Sequence, residues 1–123
     1  MAAISQVRKN HVEAVNSTDV EFALQDMSDS LVYLAHGLPP IEGKQALRDF
    51  ITPIYETSSI EIEMIAKDIM IVDNTAIEWG IINDHFGTTT SDSITPVHNK
   101  YLLIYQKNEQ GKWLITRDIY ITK

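Results

Sequence analysis

The sequence has no cysteine, few basic residues and no long hydrophobic run. Without cysteine, disulfides, thiolate nucleophiles and zinc-thiolate sites are excluded, and the composition suits a reducing compartment. No stretch approaches the ~20 apolar residues of a membrane-spanning helix, and the opening MAAISQVRKN lacks the apolar run of a signal peptide. We therefore predict a cytoplasmic protein with no membrane partner.

Acidic side chains outnumber basic ones by 17 to 10, which gives a formal net charge of −7. Nucleic-acid backbones are bound by basic surfaces, so we predict no nucleic-acid partner. With 123 residues, of which 44% are hydrophobic, the chain can bury a core of its own, and disordered or collagen-like classes are excluded. No repeat or linker divides it, so residues 1–123 are interpreted as one domain.

Apolar residues recur at helical spacing in the first part of the chain, which predicts three helices. The second helix begins at a capping-box pattern, Thr18 followed by Glu21, and includes Met27 on its apolar face. The third helix follows Gly43. Pro53 is expected to kink or end it, because proline lacks the amide proton that a helical turn needs.

From Ser59 onward the pattern alternates with a period of two, which predicts strands joined by short turns. In the strand from Ile60 to Val72 the apolar residues change from even-numbered to odd-numbered positions, which predicts a bulge near Ala66 to Asp68. A long polar loop is expected at Gly87 to Thr95. The predicted strands are Leu31 to His36, Ile60 to Val72, Thr75 to Phe86, Val97 to Lys107 and Lys112 to Thr122.

Helices followed by a run of strands predict an α+β fold, with the helices on one face of a curved antiparallel sheet. Tyr101 to Tyr105 and parts of Ile77 to Ile82 are apolar on both parities, so these strands are expected to be covered on both faces. Helices cover one face. We expect a second copy of the chain to cover the other, giving a homodimer through the outer sheet face.

Short segments spread across the chain carry a family resemblance: AVNSTD (14–19), PPIEGK (39–44), KYL (100–102), GKWLI (111–115) and RDIY (117–120). Through them the chain resembles the nuclear transport factor 2-like superfamily, in its SnoaL-like and ketosteroid-isomerase-like branch. The resemblance implies a cystatin-like, cone-shaped antiparallel sheet wrapped around three N-terminal helices. It also implies a small-molecule cavity inside the cone and a dimer through the sheet.

His11, Glu78 and Asp118 are the catalytic candidates. His11 lies on the apolar stripe of the first helix, and the resemblance places it near the oxyanion-stabilising tyrosine of ketosteroid isomerase. Strand parity places Glu78 and Asp118 among inward-facing residues, where a carboxyl has a raised pKa suited to acid/base work. The alternatives are a histidine satisfied by a backbone carbonyl, and structural charge pairs of either carboxylate with Lys100 or Arg117.

The candidates for substrate binding combine aromatic side chains that can stack on a ligand with polar groups near the expected cavity. The resemblance matches the position of the catalytic base of ketosteroid isomerase to a segment in which His36 is the only titratable residue. It matches the position of that enzyme's catalytic acid to the neighbourhood of Tyr101, where this chain has no carboxyl group. The catalytic set of that enzyme is therefore not retained. The substrate-binding candidates are Tyr33, His36, Tyr55, Trp79, Lys100, Tyr101 and Tyr120.

The histidines show no metal-ligand spacing, and no glycine-rich phosphate loop is present, so we predict neither a metal nor a cofactor. The inventory favours a protein that binds a small apolar molecule, with cofactor-independent acid/base chemistry of an isomerase, dehydratase or cyclase type on a carbonyl compound. One alternative is a non-catalytic binding or oligomerisation module, similar to the association domain of calcium/calmodulin-dependent kinase II. Another is a stress-linked accessory protein.

Overall fold

The computed structural model describes the backbone of residues 2–88 and 97–121 and the side chains of residues 3–84 and 99–121. Its helices are α1 (Ala2–Asn16), α2 (Val20–Leu24) and α3 (Lys44–Thr57). Its strands are β1 (Met27–Ala35), β2 (Ile41–Glu42), β3 (Ser58–Val72), β4 (Thr75–Thr88), β5 (Val97–Lys107) and β6 (Trp113–Ile121). Gly87 and Thr88, which were predicted to begin the polar loop, belong to β4, and residues 89–96 lie outside the described residues.

All six strands form one sheet in the order β2-β1-β6-β5-β4-β3, which confirms the predicted α+β class. Four of the five neighbouring pairs are antiparallel, but β1 and β6 run parallel, with Tyr33 beside Asp118. The expectation of a wholly antiparallel sheet is therefore wrong for this pair. No hairpin joins β1 to β6, so the local pattern could not fix their direction.

The start of α2 differs from the prediction by one residue. Asp19 is the N-cap, and its side chain accepts a hydrogen bond from the backbone N–H of Phe22 at 3.1 Å. Thr18 has a φ of 51°, outside the extended region that an N-cap adopts, so the predicted Thr18 cap is wrong. Met27 is not on this helix either, because it is the first residue of β1 and lies buried in the core.

Gly43 precedes α3 in a conformation that suits glycine, with a φ of 94°, and its N–H donates to Leu31 O of β1 at 2.7 Å. The helix passes through Pro53 and ends at Thr57, so the proline does not terminate it. Pro53 lies on the exposed side of the helix, where its ring projects into solvent.

Register shifts in β3 and β6 affect which side chains face inward. The pairing of β3 with β4 shifts between Ala66 and Asp68, as predicted. A second shift, between β5 and β6, was not predicted and leaves Thr116 without a partner residue on β5. Because of this shift, the odd-numbered Trp113 and Ile115 face the core together with the even-numbered Asp118, whereas Arg117 is exposed.

The helices cover the inner face of the sheet. α1 packs on β3 and β6, and α3 packs on β1 and β3. Along β4 the even-numbered residues from Ala76 to Asp84 are buried, whereas Ile77 and Trp79 point outward and are exposed. Among the described residues, no helix is long and apolar enough to cross a membrane.

Candidate functional site

A cavity lies between α1, α3 and the inner face of the sheet. Its volume is about 240 Å³, which corresponds to about eight water molecules at roughly 30 Å³ each. Phe50, Ile51 and Ile54 of α3 form one apolar wall, and Ile60 and Ile62 of β3 form another. The polar residues that line the cavity are His11, Tyr33, Tyr55, Asp84, Tyr101, Asp118 and Tyr120.

Asp118 is a carboxyl group buried in this largely apolar space. On β6 it lies between Tyr33 of β1 and Leu103 of β5, and only 8% of it is exposed. Burial raises its pKa above the ordinary value of 3.8, and the charge of His11 opposes part of that rise. A carboxyl held in this way is a stronger base once it is ionised.

His11 lines the same cavity from α1. Its Nδ1 is buried and has no hydrogen-bond partner within the described part of the chain. This nitrogen is therefore not satisfied by a backbone carbonyl, which was the structural alternative. An imidazole nitrogen without a partner can donate or accept a proton from a molecule in the cavity.

Tyr33 and Tyr55 place two phenol groups near Asp118. Burial raises the pKa of both, and the negative charge of Asp118 raises it further, to about 12 for Tyr55. Both hydroxyls therefore stay protonated at neutral pH. They can donate hydrogen bonds to a bound molecule but cannot act as bases.

Asp84, Asn99 and Tyr120 form a second polar group at the cavity. Asn99 Nδ2 donates to Asp84 Oδ2 at 3.1 Å and to Tyr120 Oη at 2.6 Å. Asp84 and Asn99 were not among the site residues predicted from the sequence. The period-two pattern could have identified them. Asp84 lies two residues from the inward-facing Ile82 and Asn99 two residues from the inward-facing Tyr101, so each pair shares a face of its strand.

Glu78 is fully buried but does not line the cavity, so the structure corrects its predicted placement. Its Oε1 lies 2.7 Å from Arg8 Nη1, and its Oε2 accepts a hydrogen bond from Tyr101 Oη at 2.7 Å. Tyr105 Oη also donates to Oε1, at 3.3 Å. Glu78 thus forms the structural charge pair that was the alternative, with Arg8 rather than Lys100 or Arg117 as its partner.

Three of the predicted substrate-binding residues lie away from the cavity. Trp79 is on the outer face of β4 and is 46% exposed, because odd-numbered residues of this strand point outward. His36 is exposed in the turn after β1, and Lys100 is exposed on β5. These three side chains therefore do not line the cavity, contrary to their predicted placement. Tyr33, Tyr55, Tyr101 and Tyr120 do line it, together with the catalytic candidates His11 and Asp118.

No protein-family model matches the chain, and no curated protein is similar enough in sequence to match it. Solved structures do match it in fold. A conserved protein from Planctomyces limnophilus DSM 3776 is 20% identical, with a TM-score of 0.89 over 99% of this chain and 96% of that one. A ketosteroid isomerase-like protein from Erwinia carotovora atroseptica SCRI1043 is 19% identical, with a TM-score of 0.85 over 99% and 96% of the two chains.

A nuclear transport factor 2-like superfamily protein from Salmonella enterica serovar Typhimurium LT2 is 11% identical, with a TM-score of 0.83 over 97% of this chain and 87% of that one. Identities this low establish the fold alone. That fold agrees with the sequence resemblance and with the six-stranded mixed sheet and its N-terminal helices. The chain therefore has the nuclear transport factor 2-like fold, shared with ketosteroid-isomerase-like proteins.

Proposed function

We propose that this protein is a cofactor-independent acid/base enzyme that acts on a small, largely apolar carbonyl compound, by isomerisation, dehydration or cyclisation. The observation that carries the proposal is that the buried carboxyl of Asp118 shares one cavity with His11, whose Nδ1 has no partner among the described residues. Burial also raises the pKa of this carboxyl. Enzymes tune a general base in this way so that it can take a proton from carbon.

In the proposed step, ionised Asp118 removes a proton from the carbon next to the carbonyl. The C–H bond breaks, its electron pair forms an enolate, and the proton moves to the carboxylate. Hydroxyl donors at the cavity wall, where the phenols stay protonated, stabilise the enolate oxygen. Return of the proton to another carbon completes an isomerisation, and His11 can carry a proton to or from a departing group.

The cavity volume limits the substrate. An apolar cavity of about 150 Å³ already holds benzene, so about 240 Å³ is enough for one ring with substituents. Four fused rings need more room. The proposed substrate is therefore smaller than a steroid, in agreement with the absence of the ketosteroid isomerase residues from the matching positions of the sequence.

The proposal is tested by proton exchange at carbon. Acetophenone, a single-ring ketone, is incubated with the protein in D₂O, and loss of its methyl proton signal is followed by NMR. Wild-type protein should accelerate exchange, and Asp118→Asn should remove about 100-fold or more of that acceleration. Glu61→Gln makes the same change at an exposed carboxyl on β3 and should exchange like wild type. A folded Asp118→Asn protein that exchanges at the wild-type rate would falsify the proposal.

Binding of acetophenone without proton exchange would favour the non-catalytic binding module.

We also propose a cytoplasmic location and no membrane or nucleic-acid partner, in keeping with the cysteine-free composition and the net charge of −7.

We further propose that the protein is a homodimer formed through the outer face of the sheet. Large apolar side chains adjoin one another across the strands of this face: the exposed Ile65 pairs with the half-buried Ile81, and the exposed Met70 pairs with the exposed Ile77. Trp79 lies beside Leu102 on the next strand. An apolar patch of this kind suits a two-fold contact in which the same face of a second copy covers it.

A further inference from the structure

Tyr120 accepts a hydrogen bond at the cavity wall from a buried amide. Asn99 is 3% exposed, and its Nδ2 reaches Tyr120 Oη at 2.6 Å. The orientation of this amide follows from its other contact. Its nitrogen donates to Asp84 Oδ2 at 3.1 Å, which places the nitrogen on that side of the amide. The same nitrogen then also faces Tyr120.

This contact determines what Tyr120 can do. Its oxygen accepts a hydrogen bond from Asn99, and its own proton is given to no acceptor among the described residues. A hydroxyl that accepts one hydrogen bond becomes a better donor in the next one, because the chain of bonds is polarised. Tyr120 therefore presents a fixed and polarised O–H at the cavity.

The other cavity phenols differ from Tyr120 in this respect. The proton of Tyr101 is already used, because its hydroxyl donates to Glu78 Oε2 at 2.7 Å. Tyr33 and Tyr55 keep their protons, but no hydrogen bond within the described part of the chain fixes their oxygen atoms. A donor that is already held in place loses less entropy when a ligand binds.

We propose that the Tyr120 hydroxyl donates the hydrogen bond that binds the carbonyl oxygen of the ligand, and that Asn99 is the residue that positions it. This inference rests on the proposed function for the class of ligand, but it concerns recognition of the carbonyl rather than proton removal. Asn99 acts through Tyr120 and does not touch the ligand.

Two probes of similar shape test the assignment. Acetophenone carries the carbonyl oxygen and ethylbenzene does not, and their dissociation constants are measured by NMR titration. In Tyr120→Phe, the preference for acetophenone over ethylbenzene should fall about three- to tenfold relative to wild type. Affinity for ethylbenzene should change less than twofold. Tyr105→Phe removes a hydroxyl outside the cavity and should leave the preference unchanged.

The infrared carbonyl stretch of bound acetophenone gives a second readout, which a purely structural role would not move. Loss of the hydrogen bond should shift the band to higher frequency in Tyr120→Phe. Asn99→Leu should shift it partly, because the hydroxyl remains but is no longer held. If Asn99→Leu does not fold, Tyr120→Phe alone decides whether Tyr120 is the donor, and Asn99→Ser repeats the test of positioning with a smaller side chain.

The outcomes separate this inference from the proposed function. An unchanged preference and band in Tyr120→Phe, or their loss in Tyr33→Phe instead, would overturn the inference while leaving proton exchange by Asp118 intact. Loss of the preference in Tyr120→Phe, with exchange unaffected in Asp118→Asn, would support the inference and overturn the proposed function. If neither probe binds at its solubility limit, both are overturned.

Discussion

Arg8 Nη1 and Glu78 Oε1 lie 2.7 Å apart across 70 residues of sequence, in a pair that is 15% exposed on the arginine side and 0% on the glutamate side. The pair ties α1 to β4 behind the cavity. Through its second oxygen, Glu78 also fixes Tyr101, whose ring lines the cavity. A carboxylate that the sequence suggested as catalytic therefore serves to hold the cavity wall in place.

Breaking this pair should destabilise the fold strongly. Glu78→Gln leaves the Arg8 guanidinium without its counter-charge, and we expect a loss of about 3–5 kcal/mol in the free energy of unfolding, measured by urea denaturation. Arg48→Met breaks the pair with Glu21, whose side chain is 71% exposed, and should move the urea midpoint very little. Equal losses in the two variants would contradict the structural role of Glu78.

Gly80 should not tolerate a side chain. A Cβ at this position would collide with Ile65 O and would lie 2.8 Å from Tyr101 Oη. Gly80→Ala should therefore cost about 1–3 kcal/mol or more, since overpacking forces backbone and side chains apart. Gly37→Ala is the control, because its Cβ meets nothing within 4 Å, although its φ of 82° carries a backbone cost of about 1–2 kcal/mol. A larger loss at Gly37 would refute the close approach.

Asp118 should make stability depend on pH. Its pKa is raised in the folded chain, so its contribution to stability is complete below about 3.8 and is lost as the pH rises through the folded-state pKa. The free energy of unfolding of wild type, minus that of Asp118→Asn, should therefore fall with rising pH and then level off. Urea denaturation from pH 4 to 8 measures it. A difference that rises over this range would show that the pKa is lowered.

The same ionisation should govern proton exchange. Exchange of acetophenone should increase with pH as Asp118 ionises, with an apparent pKa above 3.8 in the pH–rate profile. NMR rates in D₂O buffers of increasing pH give that profile. A flat profile in a protein that does accelerate exchange would assign the base to another group.

The outer sheet face should hold the dimer together. Trp79→Glu places a charge in the middle of the exposed apolar patch and should shift sedimentation from a dimer toward the 14.0 kDa monomer, with an unchanged circular dichroism spectrum. Glu63→Gln lies at the polar end of the same face and should remain dimeric. If wild type itself sediments as a monomer at micromolar concentration, the interface proposal is wrong.

Local patterns in the sequence predicted most of the secondary structure. Helical spacing and period-two alternation placed the helices and long strands, and the parity change in β3 revealed its bulge at Ala66 to Asp68. The bulge at Thr116 left no such change in the pattern. The apolar residues on both sides of it, Trp113, Ile115 and Ile119, all have odd numbers, so the sequence looks like a regular strand. The parallel pairing of β1 with β6 also lacks a local signal, since it joins segments far apart in sequence.

The site was predicted less completely than the fold. Strand parity placed Asp118, and helical spacing placed His11, on faces that line the cavity. Parity alone could not distinguish a carboxylate that lines the cavity from one that forms an ion pair outside it, because Glu78 and Asp84 share a face of β4. The difference comes from Arg8, which α1 brings against Glu78 only in the folded chain.

The parallel pairing of β1 with β6 has a consequence for synthesis of the chain. β1 lies between the two-residue strand β2 and β6, so its main partner leaves the ribosome only after β2, β3, β4 and β5. Until then Met27 and Leu31 have no neighbouring strand on that side. Contacts between such distant segments form slowly, and exposed apolar strands invite aggregation. A nascent chain stalled before Trp113 should therefore need protection by a chaperone.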